Sequence, residues 1–219
     1  MEIIPLGDSA LLVRVDDSLG AVLATARKLE LAKIKGVCDV APAIASVAVF
    51  FATPRDLALS ATEIQRALTR RSRPGGKNLK PSLHKVPVCY DPEFALDLTE
   101  VTEHCRLAPN ELVRRHAAAE YRVRCVGFTP GFPYLSGLPR ELAAPRRATP
   151  RTSVPAGSVA IGGAQTGIYP LPSPGGWNII GRTPLRLFDV TRAPAALLRA
   201  GDRLRFIPID RDQFEQWPA

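Results

Sequence analysis

Apolar and polar positions alternate over short stretches in the first 80 residues, and this pattern predicts a small unit of strands and helices. The predicted elements are strands over 2–6 and 10–15, a helix that starts after Asp17-Ser18, strands over 37–40 and 46–51, and a helix over 61–71. The apolar face of the first helix comes from residues at helical spacing, namely Leu19, Val22, Leu23, Ala26 and Leu29. The order β-β-α-β-β-α predicts an α+β sandwich over residues 1–80, closed by a linker at Arg73-Pro74-Gly75-Gly76.

After residue 80 the pattern becomes rich in glycine and proline. A strand is predicted over 84–90, helices over 98–105 and 109–118, and closing strands over 185–188 and 203–208. Between Gly127 and Pro184, 58 residues contain ten glycines and ten prolines, a density that excludes long helices. The sequence therefore predicts a closed all-β unit with long ordered loops over residues 81–219.

Composition is typical of a folded globular chain. Hydrophobic residues make up 46% of the 219 positions and charged residues 23%, which excludes a disordered or fibrous protein. No apolar run approaches the roughly 20 residues that span a bilayer, and the amino terminus lacks the pattern of a signal peptide. We therefore expect a cytoplasmic location and no membrane partner.

The cysteines and histidines give no indication of a metal site. The four cysteines lie far apart without a C-x-x-C pair, and the three histidines show no spacing typical of metal ligands. Reduced, structural thiols are the favoured interpretation, and we expect no metal.

The net charge of +8 is spread evenly, because residues 1–80 and 81–219 each contribute +4. Since no basic tail is present and no aromatic residues interleave Arg146-Arg147, these arginines are interpreted as exposed loop charge and no nucleic-acid partner is expected. Between Tyr121 and Phe188, however, eight arginines accompany a single acid, Glu141. Such a surplus suits a small anionic ligand.

Four segments of the Gly/Pro-rich region carry the candidate chemistry. They are 127–134 (GFTPGFPY), 149–158 (TPRTSVPAGS), 162–170 (GGAQTGIYP) and 173–182 (SPGGWNIIGR). Glycine lets backbone N–H groups approach an oxyanion and proline holds a loop in one shape, so the segments predict a preformed binding site. The alternative is that glycine and proline only turn corners between strands, while the aromatic rings plug the ends of a barrel.

The same region lacks the residues of a self-sufficient hydrolase. Between His116 and Asp189 there is no histidine, and Glu120 and Glu141 are its only carboxylates. No lysine follows Lys85, which excludes a Schiff-base lysine or a biotin attachment point from the carboxy-terminal unit. These loops therefore predict a binding and polarising surface whose acid and base groups arrive from elsewhere.

Taken over 127–135, 146–159, 162–170 and 173–184, the four segments closely resemble the family of 5-oxoprolinase B subunits, also called KipI-like or allophanate hydrolase subunit 1. That family is similar to part of the carboxyltransferase region of urea carboxylases, and the similarity continues weakly through residues 1–80. The resemblance implies a ferredoxin-like domain over 1–80 and a cyclophilin-like β-barrel domain over 81–219. It also implies a partner barrel (the C subunit), a further partner (the A subunit), and ATP as co-substrate. Together these would open the cyclic amide 5-oxo-L-proline to L-glutamate, and we expect the isolated chain to be inactive.

Site residues follow from the motifs and the resemblance together. Arg151, Gln165 and His116 are the candidate catalytic residues, with a capping or core role as the alternative for His116. The expected substrate contacts are Phe132, Tyr134, Pro155, Ala156, Gly157, Ser158, Gly163, Thr166, Tyr169, Gly175, Gly176, Trp177 and Arg182. We expect the loops 162–170 and 173–182 to line one cleft that faces the partner barrel.

Two other functions remain open at this stage. One is participation in a biotin-dependent carboxyl transfer to urea, allophanate or another amide, which would need a biotinylated lysine on a different chain. The other is a regulatory binding protein, since the family that the motifs resemble also includes inhibitors of sporulation histidine kinases.

Overall fold

The computed structural model describes residues 2–70 and 81–218. The chain divides into two compact units, Met1–Lys80 and Pro81–Ala219, which are described separately. The predicted linker at 73–76 lies outside the described residues.

The first unit contains one antiparallel sheet and two helices, in the predicted order β-β-α-β-β-α. Its elements are β1 (Glu2–Pro5), β2 (Ala10–Arg14), α1 (Leu19–Ala32), β3 (Val37–Pro42), β4 (Ser46–Phe51) and α2 (Pro54–Thr69). The strands lie in the order β1-β2-β4-β3. The predicted start of the second helix at residue 61 is wrong, because Thr53 accepts a hydrogen bond from the Asp56 N–H and Pro54 occupies the first helical turn.

Both helices of the first unit bury apolar side chains against the sheet. Val22 and Leu29 of α1 and Ile64 of α2 share one core with Val13 and Val47 of the strands. Ser18 starts α1, since its side chain accepts a hydrogen bond from the Ala21 N–H. The apolar residues that the sequence predicts to lie on one face of α1 therefore include the residues that pack against the sheet.

The second unit is built around a closed barrel of seven strands. Its elements are β5 (Leu83–Cys89), α3 (Leu98–Cys105), α4 (Pro109–Ala118), β6 (Tyr121–Val126), β7 (Pro133–Ser136), a 3₁₀ turn (Arg140–Leu142), β8 (Arg151–Val154), β9 (Ser158–Gly162), β10 (Gln165–Ile168), β11 (Ser173–Gly175), β12 (Asn178–Arg182), β13 (Arg203–Ile209) and α5 (Arg211–Glu215). The barrel order is β10-β7-β6-β13-β5-β12-β9, while β8 and β11 form a separate two-stranded sheet. β13 and β5 pair in parallel.

The strand predicted over 185–188 is wrong. In the described structure this segment forms only an isolated bridge between Phe188 and Ala196. The Leu187 carbonyl accepts hydrogen bonds from the Leu197 N–H and from the Arg192 guanidinium. The Arg192 side chain and one backbone N–H thus share the bonding that a neighbouring strand would supply in a sheet.

Successive residues along a barrel strand belong to two different apolar clusters. Val159 and Ile161 of β9 belong to the main core, together with Leu112 of α4. Ala160, between them, belongs to a second cluster with Ile179. Because successive side chains point to opposite faces of a strand, the second cluster lies on the outer face of the barrel wall. None of the helices in the described ranges is long and apolar enough to cross a membrane.

Candidate functional site

Four aromatic rings of the motif segments pack together on the outer face of the barrel. We call Phe132, Tyr134, Tyr169 and Trp177 the aromatic cluster. The Phe132 ring centroid lies 4.9 Å from that of Tyr134, 5.1 Å from that of Tyr169 and 5.6 Å from that of Trp177, in tilted or edge-on contacts. Phe132, Tyr169 and Trp177 are buried, whereas Tyr134 is half-buried. The fold thus brings three of the four motif segments together as one packed cluster, in which Tyr134 is the least buried ring.

Three rings of the aromatic cluster pack closely against glycines of the motif segments. A Cβ atom on Gly162 would lie 2.5 Å from the Trp177 ring, and one on Gly167 would lie 2.9 Å from the Phe132 ring. A Cβ atom on Gly175 would collide with the Tyr169 hydroxyl group. At these positions glycine allows close approach of an aromatic side chain of the same chain, not of a ligand.

Asp97 is a buried carboxylate that joins several motif segments. Its Oδ1 accepts hydrogen bonds from Arg147 (2.5 Å) and Arg151 (2.7 Å). Its Oδ2 accepts from Arg151 (2.7 Å) and from the backbone N–H of Ile179 (2.7 Å). Asp97 has no exposed surface, and the neighbouring carboxylate raises the pKa of Arg151. Arg151, predicted to act on the substrate, therefore makes a two-pronged ion pair inside the protein.

Arg146 differs from its neighbours because its guanidinium lies 5.8 Å from the centroid of the Trp177 ring. Burial raises the pKa of the Tyr134 and Tyr169 hydroxyl groups, and the positive charge of Arg146 opposes that rise in both. Arg146 is exposed, as the sequence predicts, and its guanidinium also lies over the aromatic cluster. For Arg147 the interpretation as exposed loop charge is wrong, because its side chain is half-buried and paired with Asp97.

Phe128 lies at the edge of the aromatic cluster in an unusual backbone conformation. Its φ of 68° is in the left-handed region that bulky residues rarely adopt. Its side chain is 62% exposed, and its ring meets those of Phe132 (5.7 Å) and Tyr169 (6.5 Å) edge-on. An exposed aromatic ring in a strained conformation is a feature that often marks a binding surface.

His116 lies inside the barrel and has no exposed surface. Its Nδ1 is 2.9 Å from the Tyr90 hydroxyl, and its Nε2 is 3.2 Å from Thr166 Oγ1. Because Thr166 donates its own proton to the Ala160 carbonyl, the histidine proton is on Nε2 and Nδ1 accepts from Tyr90. Burial lowers the pKa of His116 to about 3. These contacts favour the core role over the catalytic one, and they place Thr166 in the interior as well.

Most of the remaining candidate residues lie at one of two turns between strands. Pro155, Ala156, Gly157 and Ser158 lie at the turn between β8 and β9, where Arg182 donates to the Ala156 carbonyl. The Arg182 guanidinium also lies 6.0 Å from the Phe214 ring, beside α5.

The second turn joins β9 to β10 and contains Gly163 and half-buried Gln165. Gly163 donates its N–H to the Ala144 carbonyl (2.7 Å). Gly176 belongs to neither turn, and its carbonyl accepts from the Arg147 N–H (2.8 Å) next to the aromatic cluster.

Sequence reasoning missed Asp97 and Phe128. Asp97 immediately precedes a predicted helix, a position at which aspartate commonly caps the first turn, and its side chain makes no such cap. Phe128 stands between Gly127 and Thr129 in a recognised motif, but a positive φ at phenylalanine has no sequence signal.

The described residues of this region do not fit a triphosphate. Arg147 and Arg151 are already bound to Asp97, and the Gly157 and Gly163 N–H groups donate to carbonyls of the chain itself. Within residues 2–70 and 81–218, no group of three His, Cys, Asp or Glu side chains could hold a metal ion. The region offers a largely buried aromatic cluster, with the exposed guanidinium of Arg146 over one of its rings.

Comparison with known proteins identifies the family. Residues 1–198 match the family described as carboxyltransferase domain, subdomain C and D. The chain is 37% identical over 226 residues to the 5-oxoprolinase B subunit of Bacillus subtilis (strain 168), with 97% of this chain and 94% of the relative covered. It is 40% identical over 210 residues to the 5-oxoprolinase B subunit of Escherichia coli O157:H7, covering 93% and 94%.

The chain is also similar to a solved structure. TTHA0988 superimposes with a TM-score of 0.79 at 36% identity, over 92% of this chain and 40% of that chain. This chain thus spans less than half of TTHA0988. The chain belongs to the carboxyltransferase subdomain C and D family, and the resemblance to 5-oxoprolinase B subunits recognised in its motifs is confirmed.

Proposed function

We propose that this chain is the B subunit of a cytoplasmic, ATP-dependent 5-oxoprolinase that opens 5-oxo-L-proline to L-glutamate together with its A and C subunits. The observation that carries the proposal is the match, over nearly the full length of both chains, to relatives named as 5-oxoprolinase B subunits. The finer fold assignments, ferredoxin-like for the first unit and cyclophilin-like for the barrel, belong to the same proposal. The strand order β1-β2-β4-β3 and the closed barrel support them.

The chemistry of the region supports a binding role for this chain. Because a lactam is a poor electrophile, its opening needs activation and a proton donor or acceptor that is placed beside it. Asp97 is paired with two arginines and His116 is enclosed in the barrel. This chain therefore binds and orients the amide and keeps water from one of its faces, while the activating groups come from a partner.

ATP binding is assigned to another chain in this proposal. The arginines beside Asp97 are committed, and Arg146 alone supplies one positive charge where a triphosphate carries several negative charges. The partner chains would also cover Phe128, whose ring is exposed at the edge of the aromatic cluster.

A second candidate is a component of an amide-processing carboxyltransferase, because the family itself is described as a carboxyltransferase domain. That reaction would use biotin carried by another chain. It differs from 5-oxoproline opening in its dependence on bicarbonate and biotin, which separates the two experimentally.

The test is reconstitution. The chain is purified alone and also co-expressed with the candidate A and C subunits, and glutamate release from 5-oxoproline is followed with and without ATP. We expect ATP-dependent release from the assembled complex and negligible release from the isolated chain. Release by the isolated chain would contradict the need for partners, and a complex that consumes bicarbonate but opens no 5-oxoproline would favour the carboxyltransferase.

A further inference from the structure

The motif arginines of the second unit differ in whether an acidic group already neutralises them. Arg147 and Arg151 share the Asp97 carboxylate, and Arg186 lies 3.3 Å from Asp189. Arg182 donates to the Ala156 carbonyl and lies 6.0 Å from the Phe214 ring. The guanidinium of Arg146 lies over Trp177, 5.8 Å from the ring centroid. Its side chain is exposed, so its charge is accessible to a ligand.

The surroundings of Arg146 are built to hold it in place. Trp177 is only 5% exposed, and its ring is fixed by Gly162 on one side and by Tyr134 at 5.8 Å. The backbone of residue 147 is tied to the Gly176 carbonyl, next to Trp177 in the chain. A guanidinium held over the face of a rigid ring can keep its edge N–H groups free, and those groups match the two oxygens of a carboxylate.

We propose that Arg146, held over Trp177, forms a subsite for the carboxylate of a small, flat, cyclic amide acid. This inference rests on the proposed function and adds to it the residue that would distinguish the acid from a neutral amide. Half-buried Tyr134, whose ring centroid lies 5.8 Å from that of Trp177, would contribute a hydroxyl donor, and the exposed ring of Phe128 would supply apolar surface for the body of the ligand.

One guanidinium with one phenol fits a carboxylate better than a phosphate. A carboxylate carries one negative charge on two coplanar oxygens, which a guanidinium edge meets with two parallel hydrogen bonds. A phosphoryl group would need further cations, and the neighbouring Arg147 and Arg151 are bound to Asp97. The subsite therefore selects on charge and planarity together.

The first experiment measures binding to the full chain. The chain has two tryptophans, so the Trp217→Phe variant makes Trp177 the sole indole fluorophore. It is titrated with 5-oxo-L-proline and with 2-pyrrolidinone, the same ring without the carboxylate. We expect the acid to bind about tenfold to a hundredfold more tightly than the neutral lactam, the usual value of a charge-assisted hydrogen bond.

The same titration with Arg146→Gln should abolish this preference and leave the affinity for 2-pyrrolidinone unchanged. Arg140→Gln, a neighbouring exposed arginine, is the matched control and should keep the preference. A preference that survives in Arg146→Gln would overturn the proposal, and so would the absence of any saturable, carboxylate-dependent change of Trp177 fluorescence.

The assembled enzyme separates this inference from the proposed function. If the complex releases glutamate and Arg146→Gln leaves the KM for 5-oxoproline unchanged, the subsite is wrong and the function stands. If the complex releases no glutamate while the isolated chain still distinguishes acid from lactam through Arg146, the function is wrong and the subsite stands.

Discussion

Asp97 receives hydrogen bonds from two guanidinium groups and one backbone N–H, and none of its surface is exposed. A buried charge of this kind is tolerated only because its partners replace the lost water. Arg147 lies between the 3₁₀ turn and β8, Arg151 is the first residue of β8, and the N–H comes from Ile179 of β12. The carboxylate therefore ties the motif segments to the start of α3.

Removal of one arginine from this group should mainly affect stability. We expect Arg151→Ala to lower the free energy of unfolding by about 2 to 4 kcal/mol, because Asp97 would lose two of its hydrogen bonds while Arg147 remains. Arg140→Ala, at an exposed position, should cost less than about 0.5 kcal/mol. Urea unfolding measures both values.

The kinetic arm distinguishes a positioning residue from one that touches substrate. If Arg151 acts through Asp97, the folded Arg151→Ala complex should keep its preference for 5-oxoproline over a neutral lactam, because Arg146 is untouched. A variant with normal stability but a large loss of kcat would show instead that Arg151 acts directly on the substrate.

Single residues show how far the motifs alone can lead. The motifs mark Arg151 and Trp177 as important positions, and the structure gives both of them central contacts. The partner of Arg151 is not predictable, because Asp97 lies 54 positions away and no local pattern links them. The position of Arg146 over Trp177 is equally unpredictable, since it depends on tertiary packing and has no spacing pattern in the sequence.

At the scale of strands and turns, Gly162 of β9 leaves room for an aromatic ring that packs against the strand. Gly162 faces the Trp177 ring with no space for a Cβ atom. We expect Gly162→Ala to lower the free energy of unfolding by about 1 to 3 kcal/mol through overpacking. It should also displace Trp177 and change its fluorescence.

Gly163→Ala is an informative comparison for this prediction. A Cβ atom on Gly163 would meet open space, but its φ of 64° is left-handed, so that substitution tests backbone strain without ring contact. If both variants shift the Trp177 emission equally, the contact between Gly162 and the ring is not the cause. An unchanged emission and unchanged stability in Gly162→Ala would contradict the packing argument.

Elements with strong end signals are predictable, and those that depend on side-chain contacts are not. The helices predicted over 98–105 and 109–118 have those bounds in the structure, since Pro109 opens the second one. The strand expected at 185–188 is instead a loop that the Arg192 side chain holds. Barrel closure itself is expected from composition and resemblance, because strand pairing across many residues has no local signal.

The whole molecule comprises two units with separate cores, and the second core contains a titratable group. The composition of the second unit, rich in glycine and proline, predicts the barrel but not the polar line of Tyr90, His116 and Thr166 inside it. His116 donates and accepts within this line, and stacks on Phe206 at 4.5 Å. The barrel is therefore folded around a neutral imidazole.

This neutral imidazole predicts how the stability of the second unit depends on pH. The pKa of His116 is lowered by burial from 6.5 to about 3, so the unfolded chain binds the proton first as the pH falls. The stabilisation is fully present above pH 6.5 and is lost progressively toward pH 3. One extra proton in the unfolded state corresponds to about 2 kcal/mol between pH 7.5 and pH 5.

Urea unfolding at these two pH values checks the expectation, with His104→Gln as a control at a helix end outside the barrel core. His116→Phe should be less stable at both pH values, because Tyr90 loses its acceptor, but its stability should change less between them. Glu111, which two arginines hold at a pKa of about 2, responds at lower pH. If the wild-type chain and His116→Phe lose equal stability from pH 7.5 to pH 5, another group must cause the dependence, and a protonated His116 would be compatible with the folded barrel.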